Sequence, residues 1–466
     1  MAALPHQLVF VELYKCGSMF LNKEVLIKKR IELRIERVIN YLQEPRRWVV
    51  QWYYGYALVG IIAAGLMPIL LPLMVAELSH QLSWVGIVLG AYNLGLLCSF
   101  IWGRLADKYQ MHRLLFFSGI AVLMLVGFCI TYFNALWIWM LLAFLAGASI
   151  AATTTVATLF VVEFNPQKEW EPRIAWLQTF YGIGQVTGLL MASAFVVNIQ
   201  VGFIAAAVIL IPALLIVRKS IPKQQMPHIA LTGLKEKLLK ITDIHFLGSF
   251  ARIEMYSNTL HFSFIKIYET IGSIKSKTTS PFGRFMVSWF LLCFGISSFF
   301  AYLPVTLKNA YAVSPSLTSF IYGLFSAAAI ILYTYGGKLS AKWGSNKVYR
   351  AALLLRFAGF MMLFGAFFLP FGKECVAIPG FILLVITWPL ISISGTDLVV
   401  KLSPYNKGAT MGLFNAILAI ASVLGSFVSA PLQHYLGYAS LSGIGILSFG
   451  ISYLVVRKVN VTQQSE

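Results

Sequence analysis

The sequence predicts an all-α membrane protein in which twelve transmembrane helices form two six-helix bundles related by a parallel repeat. Three observations predict it. The 466 residues are 59% hydrophobic and only 11% charged, which is too little charge for a soluble surface of this size. All but three of the 36 lysines and arginines lie in every second gap between the hydrophobic segments. A short loop motif recurs at the same place in each half of the chain.

Each predicted span is close to the roughly 20 largely apolar residues that one membrane crossing needs. Backbone hydrogen bonds must be satisfied within each segment in hydrocarbon, which favours helices, since barrel strands would leave an alternating pattern. The predicted spans are 50–74, 83–103, 113–133, 136–162, 173–197, 201–217, 285–307, 316–337, 349–370, 376–399, 408–431 and 436–456.

The alternation of basic gaps predicts the orientation of the chain. Short loops rich in Lys and Arg stay on the cytoplasmic side, and here the basic gaps include both termini and the long central loop. The exceptions are Lys308 and Lys373, in other gaps, and Arg356, inside a span. The net charge of +19 is therefore attributed to loops that meet anionic headgroups and not to nucleic-acid binding. We expect a monomer in a bacterial plasma membrane, with both termini cytoplasmic.

The spans divide the chain into five parts. These are a cytoplasmic extension, 1–49, a first bundle, 50–217, a linker, 218–284, a second bundle, 285–456, and a tail, 457–466. The linker is interpreted as a tether between the bundles in preference to a binding segment. In the extension, apolar residues recur at helical spacing among basic ones from Ile27 to Leu42, which predicts an amphipathic helix at the membrane interface. Anchoring is preferred to a regulatory or partner site for this helix.

The sequence does not place catalytic residue types in the patterns that are typical of enzymes. The sequence contains no nucleophile–base arrangement, metal-ligand set or phosphate-binding glycine loop. Three of the five cysteines lie within spans, and none forms a CxxC pair. We therefore predict no enzyme, no metal and no cofactor.

The repeated loop has the form Gly-basic-Leu-small-x-Lys-aromatic. It occupies 103–109 after the second span and 337–343 after the eighth. We expect each leading glycine to let the end of its span approach a neighbouring helix closely. Asp107, at the cytoplasmic face, can pair with a cation or lie against a helix N-terminus, where the helix dipole favours negative charge.

The first loop resembles the signature loop of the major facilitator superfamily. That pattern reads Gly, any residue, Leu, small, Asp, basic, any residue, Gly and then basic residues; here Gln110 replaces the second glycine, and Ala341 replaces the aspartate in the second copy. With the predicted spans, the resemblance covers 50–456. It implies a secondary transporter in which two bundles rock around a midplane site.

In that family the loop is understood as a conformational latch on the cytoplasmic side. The resemblance implies this role for Asp107 with Arg104 and Arg113, against the alternative of a solvated turn. Glu163 and Arg173 occupy positions where many members carry an acid and an arginine, so they belong either to the same gate or to a surface pair worth under ~1 kcal/mol. The predicted gate residues are Gly103, Arg104, Asp107, Arg113, Glu163, Arg173, Gly337 and Lys338.

Two charged residues lie inside predicted spans, where charge is costly and faces the bundle interior or a wet cavity. Arg356 lies in span nine, about 10 Å from its cytoplasmic end at ~1.5 Å per residue, and Asp397 lies near the cytoplasmic end of span ten. We favour a structural ion pair between them. The alternative is a desolvated Asp397 that carries a proton.

Neutral polar and aromatic residues within the spans are the candidates for a substrate cavity. Each of them is also interpretable as a packing or interhelical hydrogen-bonding residue, but as a set they suggest an aromatic, mostly uncharged cavity. They are Asn93, Gln178, Tyr181, Gln185, Trp289, Tyr302, Tyr322, Trp388 and Asn415.

The glycine spacing of span five resembles that of the drug/proton antiporter branch, although its usual proline is absent. Ala143 stands where that branch carries an arginine in span four, and span one has no acid, only Met67-Pro68 and Pro72, which are expected to kink it. The usual proton mechanism is therefore in doubt, and facilitated diffusion stays open.

The first functional hypothesis is efflux of a small amphipathic organic compound, with or without a coupling proton. The second is uptake or facilitated diffusion of a sugar, nucleoside or other metabolite, which hydrogen-bonding pairs along the cavity would favour. A hypothesis of another class is a non-transporting membrane sensor or assembly factor, suggested by the long basic N-terminus.

Overall fold

Long helices form almost all of the described structure. The computed structural model describes residues 48–79, 81–109, 111–133, 135–165, 169–221, 280–404 and 407–459. The helices are α1 (Trp52–Ser79), α2 (Ser83–Leu97), α3 (Ser99–Tyr109), α4 (His112–Cys129), α5 (Leu136–Phe164), α6 (Trp170–Phe195), α7 (Ile199–Ser220), α8 (Pro281–Phe300), α9 (Leu303–Tyr311), α10 (Pro315–Trp343), α11 (Ser345–Phe367), α12 (Lys373–Ile386), α13 (Trp388–Leu402), α14 (Lys407–Leu436) and α15 (Ala439–Arg457).

Within the described residues, 11 helical stretches are long and apolar enough to cross a membrane. Helix α6, which corresponds to the fifth predicted span, is not among them although it has 26 residues. It is the helix that carries Gln178 and Gln185, and these polar side chains lower its hydropathy. The membrane class is confirmed, and the count of twelve crossings stays a prediction.

The predicted span boundaries were wrong in several places. Helix α1 extends to Ser79, beyond the predicted end at 74. The second predicted span is divided into α2 and α3 at Cys98, the seventh into α8 and α9 at 301–302, and the tenth into α12 and α13 at Thr387. Pro389 explains the last division, because its ring cannot donate the hydrogen bond that a continuous helix requires. The predicted extension helix lies outside the described residues, as do 222–279 of the predicted linker and the tail from 460 onwards, while the ends of the linker belong to α7 and α8.

Local sequence signals define several helix ends. The side chains of Asn198, Ser280 and Ser314 each accept a hydrogen bond from a backbone N–H three residues later, and a proline follows each serine at the first helical position. Gly344 and Gly437 have φ angles of 85° and 73° at the ends of α10 and α14. This backbone conformation suits glycine, which has no Cβ.

Helix α1 contains a π-helical segment, Ile61–Leu66, at its centre. Pro68 follows it, and because a proline has no N–H, the carbonyl of Ala64 loses its usual partner four residues later. The N–H of Met67 instead donates to the carbonyl of Ile62, five residues earlier. A kink was predicted for this helix. The structure has a wider, π-helical turn before Pro68, and the α-helix continues through Pro72.

Glycines bring helices of the first half, residues 48–221, into close contact. A Cβ on Gly184 would lie 2.1 Å from the carbonyl oxygen of Ala57, so α1 and α6 touch backbone to backbone there. The expected close approach at the loop glycines was wrong. A Cβ on Gly103 would meet Thr155 at an ordinary 3.6 Å, and one on Gly337 would meet nothing within 4 Å. Both glycines lie on helix faces that no neighbour covers tightly.

The first half packs against the second half, residues 280–459, mainly along two helix pairs. Helix α2 packs on α14, and α6 packs on α10, with a smaller contact between α1 and α9. In the first pair a Cβ on Gly86 would lie 2.8 Å from the backbone nitrogen of Ala430. In the second, a Cβ on Gly323 would lie 3.2 Å from the side chain of Leu189. These two contacts frame the region between the halves.

Candidate functional site between the two halves

The alternation of the helices gives the molecule two ends. We call the end with the α3–α4, α5–α6 and α10–α11 connections the basic end, because the basic gaps lie there. The other end, with the α1–α2 and α14–α15 connections, is the opposite end. The site is described relative to these two ends.

A central recess of about 150 Å³ lies between α1 and α2 of the first half and α8 and α14 of the second. Most of its wall is apolar, and the amide nitrogen of Asn93 donates a hydrogen bond of 2.8 Å to the hydroxyl of Ser426 across the two halves. The recess is lined by Met67, Pro68, Leu71, Leu89, Tyr92, Asn93, Ser297, Phe300, Ala301 and Ser426. Of the predicted cavity residues, Asn93 lies here.

A second, wider recess of about 430 Å³ lies along one face of α13, on the part of the helix nearer the basic end. Ser392, Thr396 and Val400 are spaced four residues apart on that face, so they follow one another along the helix. Ile393 and Asp397 complete the wall. The wall is therefore mixed, with one carboxylate.

Tyr302 joins the halves at the opposite end. It is fully buried, its hydroxyl donates to the carbonyl oxygen of Leu82 at 2.8 Å, and it accepts a hydrogen bond from the N–H of Gly86 at 3.0 Å. We call these three residues the opposite-end clamp. The prediction that Tyr302 lines the substrate cavity was wrong, because its hydroxyl is engaged by the α1–α2 connection and the start of α2.

Three further contacts close the opposite end. The ammonium group of Lys308 lies 2.9 Å from the carboxylate of Glu77, across the halves. The hydroxyls of Ser316 and Ser319 each donate at 2.6 Å to backbone carbonyls of α6, on Ser193 and Leu189. Both serines lie in the first turns of α10, at the opposite end. The contacts between the halves thus run from this end to the level of Asn93.

At the basic end, the described charged side chains form contacts within one half. Arg113 donates at 2.9 Å to the backbone carbonyl of Arg218, at the end of α7. Arg173 donates through two nitrogens to one carboxylate oxygen of Glu169, at 2.8 and 2.9 Å. In the second half, Lys338 lies 5.1 Å from the ring centroid of Tyr335, one turn away on the same helix. The side chains of Arg104, Asp107 and Glu163 lie outside the described residues.

Arg356 lies near the middle of the second half. It is eleven residues from the start of α11, about 16 Å at ~1.5 Å per residue, which is deeper than the sequence predicted. Its side chain is 2% exposed, and it donates at 2.7 Å to the carbonyl oxygen of Leu384, in the last turn of α12. The guanidinium lies 5.4 Å from the ring centroid of Trp388 and 5.9 Å from that of Phe449.

The predicted ion pair between Arg356 and Asp397 was wrong. Asp397 accepts hydrogen bonds from Lys401, at 2.6 Å, and from the hydroxyl of Ser345. It lies more than two helical turns along α13 from Trp388, so the wall of the recess separates the two charges. The carboxylate is thus held in the wall of the recess, while the arginine is buried and bonds to α12.

Aromatic residues predicted for the cavity pack together inside the second half. The ring of Trp289 is buried and stacks on Phe414 at a centroid distance of 4.1 Å. Tyr322 makes edge contacts with the rings of Phe300 and Phe381. Trp289 therefore belongs to the core of this half, whereas Tyr322 contacts a residue that lines the central recess, Phe300.

The remaining predicted cavity residues are more scattered. Tyr181 is half-buried, with its ring centroid 5.1 Å from that of Tyr56. Gln185 is half-buried, and its backbone carbonyl faces Gly65 of α1. Gln178 and Asn415 are exposed. The structure therefore does not gather the predicted set into one cavity.

Some contacts between the halves were not predicted from the sequence. The Glu77–Lys308 contact could have been predicted, because the two residues are opposite charges in two short gaps that otherwise lack basic residues. No sequence feature pointed to the contacts of Ser426 and Ser319, since serines are common in these spans. Among the described residues, no group of three or more His, Cys, Asp or Glu side chains could hold a metal ion.

Comparison with known proteins is consistent with a membrane transport protein. The sequence profile of the Major Facilitator Superfamily matches residues 53–426, and the chain belongs to that superfamily. The family and fold are those of transporters, which are generally not enzymes. A search of curated proteins finds no match to this chain.

Solved transporter structures share the fold at low sequence identity. The nucleoside transporter NupG superposes with a TM-score of 0.61 at 14% identity, over 89% of this chain and 98% of that one. A D-xylose-proton symporter gives 0.62 at 14% identity, with coverages of 89% and 98%. A POT family transporter, in complex with a thioalcohol-conjugated peptide, gives 0.61 at 13% identity, with coverages of 89% and 95%.

Proposed function

We propose that this protein is a secondary transporter that moves a small organic solute by alternating access. The observation that carries the proposal is the asymmetry between the ends: contacts that bridge the halves occupy the opposite end, and the wider recess lies along the part of α13 nearer the basic end. Alternating access needs a closed end and an open end around a midplane site. The central recess, with the Asn93–Ser426 contact, lies at that level.

The proposed arrangement in the membrane follows the sequence prediction. Twelve crossings form two six-helix bundles, 50–217 and 285–456, joined by the linker and related by a parallel repeat. The repeated loops at 103–109 and 337–343 support this relation, since each follows the second span of its half. Both termini and the basic end lie in the cytoplasm of a bacterial cell, with the protein as a monomer in the plasma membrane.

The proposed substrate is a small amphipathic organic compound, and the proposed direction is export. The central recess has an apolar wall of Met67, Pro68, Leu71 and Leu89 with a few hydroxyl and amide groups, which suits a compound that is itself mostly apolar. In the state described, such a compound would enter the recess along α13 from the cytoplasm. Closure of the basic end would then precede opening of the opposite end.

Uptake or facilitated diffusion of a sugar, nucleoside or other metabolite is the second candidate. The observation that favours it is the pairing of polar groups beside the central recess, where Asn93 bonds to Ser426 and Ser297 bonds to Ser422 at 3.0 Å. Such groups are arranged to exchange partners with a hydroxylated solute. The nucleoside and D-xylose transporters of the same fold support this candidate by analogy only.

Purified protein in proteoliposomes tests the proposal. We expect flux of at least one compound from a panel of amphipathic organics, sugars and nucleosides, measured with and without a pH gradient. As a control, cysteines at Gln81 and Tyr435, both exposed at the opposite end on different halves, are joined by a reducible cross-linker. The cross-link should stop flux, and reduction should restore it. Flux that survives the cross-link would contradict alternating access.

A membrane sensor or assembly factor would give different results. A chain that lacks 1–45 should keep its flux if the protein is a transporter, since the extension precedes the first helix of the transport domain. If no panel compound shows flux and the truncation abolishes a cellular phenotype, the sensor interpretation replaces the transporter.

A further inference from the structure

Arg356 is a buried cation whose hydrogen-bonding capacity is only partly used. Its Nη2 donates to Leu384, but Nε and Nη1 have no partner among the described residues, and both atoms are shielded from solvent. No acid pairs with it there, since the ion pairs of the described residues are Arg173–Glu169, Lys308–Glu77 and Lys401–Asp397. A cation near the middle of a membrane helix with two free donors is costly unless an anion or a polar partner reaches it.

The surroundings of the guanidinium accommodate its charge without neutralising it. Leu384 supplies a carbonyl from the C-terminal turn of α12, where the helix dipole favours a cation. The rings of Trp388 and Phe449 face the guanidinium at cation–π distances. The titratable groups that interact electrostatically with it are the thiol of Cys293 and the hydroxyls of Tyr322 and Tyr333. These groups are neutral, so the positive charge is available to a ligand.

The recess along α13 leads towards this arginine. Its wall residues Ser392, Thr396 and Val400 are four residues apart, and the same spacing continued inward reaches Trp388. Trp388 is half-buried, and its ring is the one that faces the guanidinium. Tyr333 of α10 interacts with both Ser392 and Trp388, so the side chains of Trp388 and Tyr333 connect the wall of the recess with Arg356. The helix is also interrupted at this point, between α12 and α13, and interrupted helices line binding sites in transporters.

We propose that Arg356 binds the anionic group of the transported solute, and that the solute is an organic carboxylate with an aromatic or apolar body. The free Nε and Nη1 lie on different edges of the planar guanidinium, and each offers an N–H to an oxygen of a carboxylate through a charge-assisted hydrogen bond. The body of the solute lies in the recess and displaces the ring of Trp388. This inference rests on the proposed function and specifies its substrate class.

Binding of 1-naphthoate and of its neutral amide, 1-naphthamide, to the purified protein tests this proposal. The two probes share an aromatic body and differ in charge. By equilibrium dialysis we expect the carboxylate to bind at least tenfold more tightly than the amide. Arg356→Gln should remove this preference, and Arg356→Lys should keep part of it. Equal affinities in the unaltered protein, or an unchanged preference in Arg356→Gln, would overturn the proposal.

Arg350 provides a matched control on the same helix. It also stacks on an aromatic ring, with its guanidinium 5.8 Å from the centroid of Tyr453, but it lies nearer the basic end. Arg350→Gln should leave the preference for 1-naphthoate unchanged. Size-exclusion profiles and thermal unfolding show whether each variant is folded. An equal loss of preference in both variants would mean that general charge, and not Arg356, attracts the anion.

A measurement on the unaltered protein covers the case in which Arg356→Gln does not fold. Phenylglyoxal modifies accessible arginines, and peptide mass spectrometry reports which ones. We expect Arg356 to be modified, and 1-naphthoate but not 1-naphthamide to protect it, with Arg350 unaffected by either. If Arg356 is never modified while Arg350 is, ligands do not reach it and the proposal fails.

The binding test is independent of transport. Binding of 1-naphthoate without any flux would leave the anion site in place and remove the proposed function. Flux of neutral compounds without any preference for the carboxylate would support the proposed function and remove the anion site.

Discussion

The two ends of the molecule use their polar side chains differently. At the opposite end, Tyr302 and Lys308 bind groups of the other half. At the basic end, Arg113 and Arg173 bind groups of their own half, as does Asp397. The difference teaches that the opposite end cannot separate without breaking specific bonds, whereas the described side chains at the basic end keep their partners when the halves move apart.

The largest change in the distance across the opposite end is expected from a side chain inserted between α2 and α14. A Cβ on Gly86 would lie 2.8 Å from Ala430, so Gly86→Leu overpacks the opposite end at a cost of about 3 kcal/mol. Spin labels at Gln81 and Tyr435 should report a longer distance. Gly337→Leu, at the basic end, is the control, because nothing lies within 4 Å of its Cβ position. An equal response to both substitutions would remove the distinction between the ends.

The second-largest change at the opposite end is expected when the opposite-end clamp loses a hydrogen bond. Tyr302→Phe keeps the ring and leaves the N–H of Gly86 without the acceptor that the hydroxyl supplies, while the carbonyl of Leu82 keeps the N–H of Val85. Leaving such a buried group unpaired costs about 1–3 kcal/mol, which corresponds to roughly a 5- to 150-fold shift of a two-state equilibrium. The population with a separated opposite end should rise by that factor in the same spin-label measurement. Tyr311→Phe, on the neighbouring helix α9, is the control, since its hydroxyl interacts with Ser442 of the same half and not with the first half.

The Glu77–Lys308 pair should have a smaller effect. Both side chains are nearly half exposed, at 48% and 45%, so water and salt screen the attraction, and its contribution is under about 1 kcal/mol. Glu77→Gln should increase the separated population only a few-fold. The exchanged pair, Glu77→Lys with Lys308→Glu, should restore it. Failure of the exchange to restore the distance would show that the charges do not act on each other.

A substitution at the basic end is expected to change the distance across the opposite end least. Asp397→Asn weakens the contact with Lys401 on the same helix and touches no residue of the first half. The distance between labels at Gln81 and Tyr435 should stay unchanged. Transport by this variant is informative in addition, since loss of proton dependence would support coupling through Asp397. A change at the opposite end would contradict the independence of the two ends.

Much of the fold was predictable because the membrane imposes it. Apolar length and the basic gaps located helices throughout the described chain, and the superfamily followed from the loop around Asp107. Helix α6 was predicted as a span from its length, yet its polar residues make it less apolar than the 11 stretches that could cross a membrane. The divisions at Cys98, at 301–302 and at Thr387 depend on local backbone geometry, which hydropathy does not report.

The site was less predictable, because polar residues in spans do not reveal which neighbour they face. Asn93 lies in the central recess as predicted, whereas Tyr302 binds the opposite end and Trp289 packs in a core. Arg356 and Asp397 were identified as the charges within spans, but opposite sign alone did not make them partners. Their separation depends on the helix faces of α11 and α13, which are set by packing.

Paired distance measurements at both ends test the central claim most directly. One pair of labels is placed at Gln81 and Tyr435, and a second at Phe164 and Trp343, which are exposed at the basic end on different halves. The labelled chains carry serine at the five native cysteines and are reconstituted in liposomes. We predict that Tyr302→Phe lengthens the first distance and shortens the second in the same population of molecules. Lengthening at the opposite end with no change at the basic end would contradict alternating access.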